Sequence, residues 1–283
     1  MKLKFLKIPL FLEEAAFFGL AQVLGILSAW KTSIFLNESV PQIKTEESFS
    51  GLQFIIYFLI GTLVIFIFLR FFKSNIPFKF FFYLTVFSGM NLIFSSFFSA
   101  NLALILSFAL VVFLFIHPRV WLHNLVFTLG VGGLGGLLGI SLTPWTAVLI
   151  LIVLSIYDWI AVYKTKHMVK LAKEMIQRGA IFALILPEKI RDLFILPNYE
   201  VKPGEGRAFF LGGGDVALPL LLSASVLTFY GLKISALTAV FSLFGLLATH
   251  LLFILQERKK PMPALPPIAL FTIAGFLIGR LIF

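Results

Sequence analysis

Leu211-Gly212-Gly213-Gly214-Asp215-Val216-Ala217-Leu218-Pro219-Leu220-Leu221-Leu222 decides how this chain is read. The stretch sets a carboxylate at the mouth of an apolar run that otherwise has the character of a membrane span. An Asp at the centre of a membrane helix costs about 2.5–3.5 kcal/mol on insertion scales, which makes such residues functional candidates by default. Each glycine before it is worse than Ala in a helix by about 1 kcal/mol. One other aspartate falls in a span, Asp158 in Ile156-Tyr157-Asp158-Trp159-Ile160-Ala161-Val162. The two acids are expected to form one active site.

Composition sets the class. Hydrophobic residues make up 60% of the chain and charged ones 13%, against roughly 45–50% and about 25% in soluble domains. With 35 Phe and a mean hydropathy of +1.03, the chain reads as an all-α, polytopic membrane protein. Its net charge of +10 does not indicate nucleic acid, because the basic residues lie in short loops between apolar runs, where they control topology. Cysteine is absent, which excludes a disulfide framework, a thiolate metal site and a thiol nucleophile. The basic start at Lys2, Lys4 and Lys7 resembles a signal peptide, but the apolar run continues to about Ala29 across Glu13-Glu14 without a small-x-small cleavage site. It is read as a retained first helix.

A span needs about 20 mostly apolar residues, and helix is the economical choice because lipid offers no partner to free backbone groups. Nine candidates result, at about 8–29, 51–70, 78–98, 101–117, 121–140, 145–163, 208–230, 233–255 and 264–283. Placing the N-terminus inside puts 19 of the 23 Lys and Arg on the inner side and only Lys31, Lys44, Lys233 and Arg280 outside. That bias predicts an inside N-terminus and an outside C-terminus.

The loops carry fewer signals. A polar outer loop at about 30–50 contains Asn37-Glu38-Ser39, a short acceptor pattern common by chance. Six glycines between Gly130 and Gly139 predict close helix packing rather than a ligand loop. The long inner loop, about 164–207, opens with an amphipathic helix over Lys164–Arg178 that lies on the membrane surface. It continues through the short apolar run Ile181–Leu186, Phe194-Ile195-Leu196-Pro197 and a turn at Pro203-Gly204-Glu205-Gly206, and is a candidate gate. Near the last span, four prolines between Pro261 and Pro267 forbid a regular helix. They are expected to delay the helix to Pro266-Pro267 and leave Pro263–Leu265 extended. Chain organisation is accordingly read as a scaffold of five spans, 1–144, followed by a catalytic part, 145–283.

At a helix rise of about 1.5 Å per residue, Asp158 lies about 9 Å beyond Lys164, and Asp215 about 12 Å beyond Arg207 if that segment is helical throughout. Both acids therefore sit at similar depth from the inner face. Two carboxylates held a few ångströms apart would share a proton, since they cannot both ionise cheaply. The ionised one would activate a water against a peptide carbonyl while the other protonates the carbonyl oxygen. Gly212, Gly213 and Gly214 would let backbone approach beside Asp215.

Tyr157-Asp158, Gly212-Gly213-Gly214-Asp215 and Pro263-Ala264-Leu265 occur in order at the sixth, seventh and ninth candidate spans. Together they resemble the three signatures of the presenilin and signal peptide peptidase family of intramembrane aspartyl proteases. The run Tyr157–Val162 and the expected orientation are closer to the presenilin branch. This resemblance implies an endopeptidase that cuts transmembrane helices, with Asp158 and Asp215 as the catalytic pair. It implies Tyr157, Gly212 and Gly214 as site-shaping residues and Pro263, Ala264 and Leu265 as a substrate-positioning segment. It further implies a compact homologue in a microbial cell membrane, with no metal or cofactor, no accessory subunits required, and homo-oligomerisation left open. Its partners are a substrate transmembrane helix and the bilayer.

Other chemistries find less support. No His-Glu-x-x-His marks a zinc enzyme, and His117, His123, His167 and His250 are scattered near loops as interfacial or structural residues. No Gly-x-Ser-Gly suggests a serine protease of the rhomboid kind. A prepilin peptidase has a similar aspartate motif but fewer spans and no proline segment. A proton-coupled transporter would also place acids at helix breaks, with Glu13, Glu14 and Gln22 as its material, but no internal repeat supports it. Glu13 and Glu14 are otherwise read as near-interface residues facing the bundle.

Overall fold

A computed structural model of the chain describes residues 8–39, 53, 56–57, 60–61, 64, 74–165, 167–188, 190–194, 208–256 and 261–283. Nine α-helices lie among them: α1 Ile8–Ser39, α2 Ile76–Phe97, α3 Ala100–Ile116, α4 Val120–Ile140, α5 Pro144–Tyr163, α6 His167–Gln177, α7 Gly213–Tyr230, α8 Leu232–Leu255 and α9 Leu265–Ile282. Seven of these are long and apolar enough to cross a membrane, and α3 is a shorter apolar helix of 17 residues. The expected span at 51–70 lies mostly outside the described residues, and its described positions are helical. The chain is an all-α integral membrane protein.

Helix α4 is the hub, and its glycines are sorted by face. A Cβ on Gly133 would fall 1.9 Å from the Gly89 carbonyl oxygen of α2, and one on Gly130 2.9 Å from Val86 Cα of the same helix. Gly132 and Gly136 are turned to Ala21 and Gly25 of α1, and Gly135 and Gly139 to Ala217 and Leu221 of α7. Three pairs of glycines, three or four residues apart, thus let three helices approach α4 at backbone distance. Lipid tails are as apolar as Leu, so such close packing supplies association energy that hydrophobicity cannot.

Two boundaries differ from the sequence reading. Helix α1 runs to Ser39, ten residues past the apolar stretch, so Asn37-Glu38-Ser39 closes a helix and is not in a loop. Nothing between Ala29 and Ser39 is Gly or Pro, and a helix outlasts its apolar run when no breaker stops it. The expected span at 208–230 is divided: Ala208–Gly212 is a strand, β2, and the helix begins at Gly213. Strand β1, Ala183–Pro187, pairs with it antiparallel, with Ile185 opposite Phe210. Ala183–Leu186 of the apolar run therefore pair with backbone.

The amphipathic segment expected to continue α5 is helical but forms a separate helix, α6, after a break at Lys164-Thr165. Gly179, at φ +71°, ends it. The Gly179 and Ala180 N–H groups donate back to the carbonyls of Ile176 and Met175, a left-handed glycine closure of the last turn. A 3₁₀ turn, Ile190–Phe194, follows β1. The expected features at 195–207, including Pro203–Gly206, lie outside the described residues.

Gly133→Val should lower stability by about 1–3 kcal/mol through overpacking against Gly89, read as an earlier thermal transition in detergent. Gly19→Ala meets only Leu243 Cδ2 at 4.0 Å and should leave that transition in place or raise it slightly.

Candidate active site

Helix α5 starts cleanly. Thr143 caps it, its hydroxyl oxygen accepting the Thr146 N–H at 3.2 Å, and Pro144 occupies the first turn. Ala147, Ile150, Leu151, Leu154, Asp158 and Ala161 form its buried stripe, while Leu149, Ile152, Ile156 and Trp159 face outward. Spacing of three and four residues puts Asp158 on the bundle side. The Leu265 backbone N–H donates to its carboxylate. Its Oδ2 has no partner among the described residues.

Asp215 stands at the mouth of its helix, as the apolar run suggested. It is the third residue of α7, after the N-cap Gly212. From there its carboxylate reaches back to the Gly212 backbone N–H, the acid half of a capping box. The positive end of the helix dipole faces it as well. Five extended residues precede the helix. At about 3.3 Å each they cover roughly twice the distance a helix would, so depth counted from Arg207 by helix rise does not apply. Pro219, inside α7, removes the N–H that would otherwise bond the Asp215 carbonyl. Asp215 and Asp158 interact electrostatically, and their helices α5 and α7 pack on each other and on α9.

The three glycines do different jobs. A Cβ on Gly212 would lie 3.1 Å from Asp215 Oδ2, pressing on the carboxylate. One on Gly213 would come 2.8 Å from the Phe127 ring, while the Gly213 N–H donates to the Phe182 carbonyl at 3.1 Å. Gly214 is exposed and has nothing within 4 Å of an added Cβ, so it borders open space. Tyr157 is half-buried and lies in the electrostatic reach of Asp158.

Pro263–Leu265 also differs from its expected form. Helix α9 begins at Leu265, with Pro in its first turn, and Ala264 has helical angles (φ −89°, ψ −30°). Ala264 and Leu265 are therefore not extended. Prolines are tolerated in a first turn, whose N–H groups have no helical partner anyway, so the helix need not wait for them to end. Thr249 of α8 donates to the Ala264 carbonyl at 3.3 Å.

The β ribbon has one closed edge. Asn124 of α4, fully buried, donates to the Ile185 carbonyl at 2.7 Å and accepts the Ile185 N–H at 2.8 Å. The His123 ring engages the Ala183 carbonyl at 3.1 Å. In an antiparallel pair, alternate residues point their backbone groups to opposite edges. Ala183, Ile185 and Pro187 hence face away from β2, and Pro187 has no N–H to offer. By the same register the Phe210 N–H and carbonyl face the other edge, beyond which no strand lies among the described residues.

Sequence reasoning missed Asn124, Thr249 and the pairing of Glu14 with His250. Glu14 is buried, its Oε2 2.9 Å from His250 Nδ1, so it faces the bundle as expected. A polar side chain inside a span was the available signal; its partner, 15 to 236 residues away, was not. No cluster of metal-ligating residues occurs among the described residues.

A pair of interacting carboxylates inside a membrane bundle, held at two helix starts, defines the class: a multi-pass membrane protein with an acidic centre. The family model for signal-peptide peptidase and presenilin aspartyl proteases matches residues 15–283, and the chain belongs to that family. Two solved structures, of a presenilin family intramembrane aspartate protease in space groups C222 and P2, share the fold. Each is 23% identical with a TM-score of 0.64; the first covers 96% of this chain and 98% of its own, the second 95% and 96%. No curated relative matches. The protein is an intramembrane aspartic peptidase, which sets aside the transporter reading.

Asn124→Ala would strand the Ile185 N–H and carbonyl in the interior. A loss of about 1–3 kcal/mol, seen as a lowered thermal midpoint in detergent, is the expected result.

Proposed function

We propose that Asp158 and Asp215 are the catalytic pair of this peptidase, and that it hydrolyses peptide bonds within transmembrane segments of membrane proteins. The observation that carries the assignment is their meeting: two carboxylates from α5 and α7 interact, each beside a helix start that lends it a backbone N–H. One is ionised and takes a proton from water as the water oxygen attacks the scissile carbonyl carbon. The other donates its proton to the carbonyl oxygen. Collapse of the tetrahedral intermediate breaks the C–N bond: the departing amine takes the proton that came from water, and the diol hydroxyl returns a proton to the other aspartate, so the pair again holds one. The proton balance belongs to the pair and not to either residue.

A helical substrate hides its carbonyls in hydrogen bonds and must unwind before cleavage. The unwound segment adds to the ribbon as a strand, and of the two edges the one along β2 is open. Gly212, at the end of that strand, leads straight to Asp215. Tyr157, Gly213 and Gly214 shape the site, and Pro263–Leu265 positions substrate from the α9 side. Residues 164–207 lie on the inner face in this reading, with the N-terminus inside and the C-terminus outside. The peptidase works in a microbial cell membrane without accessory subunits.

Cleavage of a generic single-span substrate in liposomes tests the pair. Asp158→Asn and Asp215→Asn should each abolish product in folded protein, and activity surviving both would remove the assignment. Proline scanning tests the strand. Phe210→Pro removes an outward donor and should cut cleavage at least about tenfold with the fold kept, whereas Phe209→Pro breaks an inward bond to β1 and should lower stability as well. Normal cleavage by a folded Phe210→Pro protein would exclude pairing at that edge.

A further inference from the structure

Beside the aspartates lies a second buried polar group that the hydrolysis above does not use. Glu14 of α1 and His250 of α8 are bonded, Oε2 to Nδ1, at 2.9 Å, and only 7% and 5% exposed. Phe11 closes the outer side of the imidazole, with ring centroids 5.2 Å apart. His250 Nε2 has no partner among the described residues. Two turns along α1, Gln22 donates to the Val216 carbonyl at 3.2 Å, the residue after Asp215. On α8, Thr249 next to His250 bonds Ala264, which precedes the Leu265 N–H donor to Asp158. Glu14 lies within electrostatic range of Asp215.

A third carboxylate near a shared-proton pair matters only if its charge is uncompensated. Hydrolysis by the pair needs one ionised and one protonated aspartate, and an extra negative charge nearby favours the fully protonated state. An unpaired carboxylate so deeply buried is also costly, and an imidazolium partner relieves both problems. Few other charges compete. Glu13, with both carboxylate oxygens buried and unpartnered among the described residues, shares the helix, as do Lys31 and Glu38 near its far end. Of the elements packed on α1, α2 carries Lys79 and Tyr83, α4 His123, α7 Asp215 and Tyr230, α8 Lys233 in its first turn and β1 none. His123 is engaged by the ribbon, and across α7 stands Asp158 on α5.

We propose that Glu14 and His250 form a charge-balancing pair that holds the aspartates at a single net negative charge: positioning residues for the reaction, acting on Asp215 from α1 and α8. This rests on Asp158 and Asp215 being the catalytic pair.

The test is the pH–rate profile of purified, folded variants on a single-span substrate in liposomes. Glu14→Gln keeps a hydrogen-bond partner and removes the anion, so both limbs should move down by about one pH unit. His250→Asn sets an amide near Nδ1 and removes the cation, so both limbs should move up by a similar amount. At a fixed pH on either limb that is about a tenfold change in kcat, with KM kept because neither residue touches substrate. The double variant should return the limbs toward their original places. A purely structural pair would lower folded yield or thermal midpoint and leave the limbs still, and that outcome overturns the proposal. If Glu14→Gln does not fold, His250→Asn decides: an upward move supports charge balance and a fixed profile refutes it. If neither of these folds, His250→Gln, a second neutral replacement, decides by the same rule: limbs moved up support charge balance and unmoved limbs refute it. Cleavage surviving Asp158→Asn and Asp215→Asn would instead strike the underlying assignment, a separate failure.

Discussion

Two carboxylates inside an apolar bundle need donors that the bundle hardly has. Within a helix every backbone N–H beyond the first turn is committed, so free donors exist only at helix starts. This constraint organises the surroundings of Asp158 and Asp215. Gly212–Gly214 start α7 beside Asp215, and the N-cap N–H goes to that carboxylate. Prolines start α9 beside Asp158, and with Pro266 and Pro267 lacking N–H groups, Leu265 supplies the only donor of the first three residues. Two unlike signatures, one rich in glycine and one in proline, thus solve one problem: each brings a helix terminus to an acid.

Helix starts inside a membrane leave the preceding backbone to be satisfied as well. Before α7 the solution is the ribbon. Pairing β2 with β1 covers one edge of β2, and Asn124, His123 and the missing N–H of Pro187 dispose of the far edge of β1. Backbone that would otherwise be costly becomes a short sheet with a single open side leading to Asp215. The glycine-lined contacts of α4 hold this arrangement at close range, since α4 carries both the ribbon clamp and the faces that receive α1, α2 and α7.

Helix α1 belongs to this centre as much as the signature helices do. Gln22 secures the turn of α7 after Asp215, and Glu14 meets His250. Hydrogen bonds therefore tie the first helix of the chain to both α7 and α8.

The sequence by itself determined the membrane class, the positions of most of the described helices and the two acids that α5 and α7 bring into electrostatic range. Those follow from local quantities: apolar length, helix period and the cost of a charge in lipid. It also placed the family signatures in order. What it read wrongly were states decided by pairing. Ala208–Gly212 is as apolar as a helix start, and only β1, more than twenty residues earlier, makes it a strand. Ala264 and Leu265 are helical because a first turn tolerates proline and Thr249 holds the Ala264 carbonyl. Glu14 at one end of the chain and His250 near the other gave no sign of each other, because a buried charge announces that it needs a partner but not which one. Only the tertiary structure chose the partner, through the packing of α1 against α8.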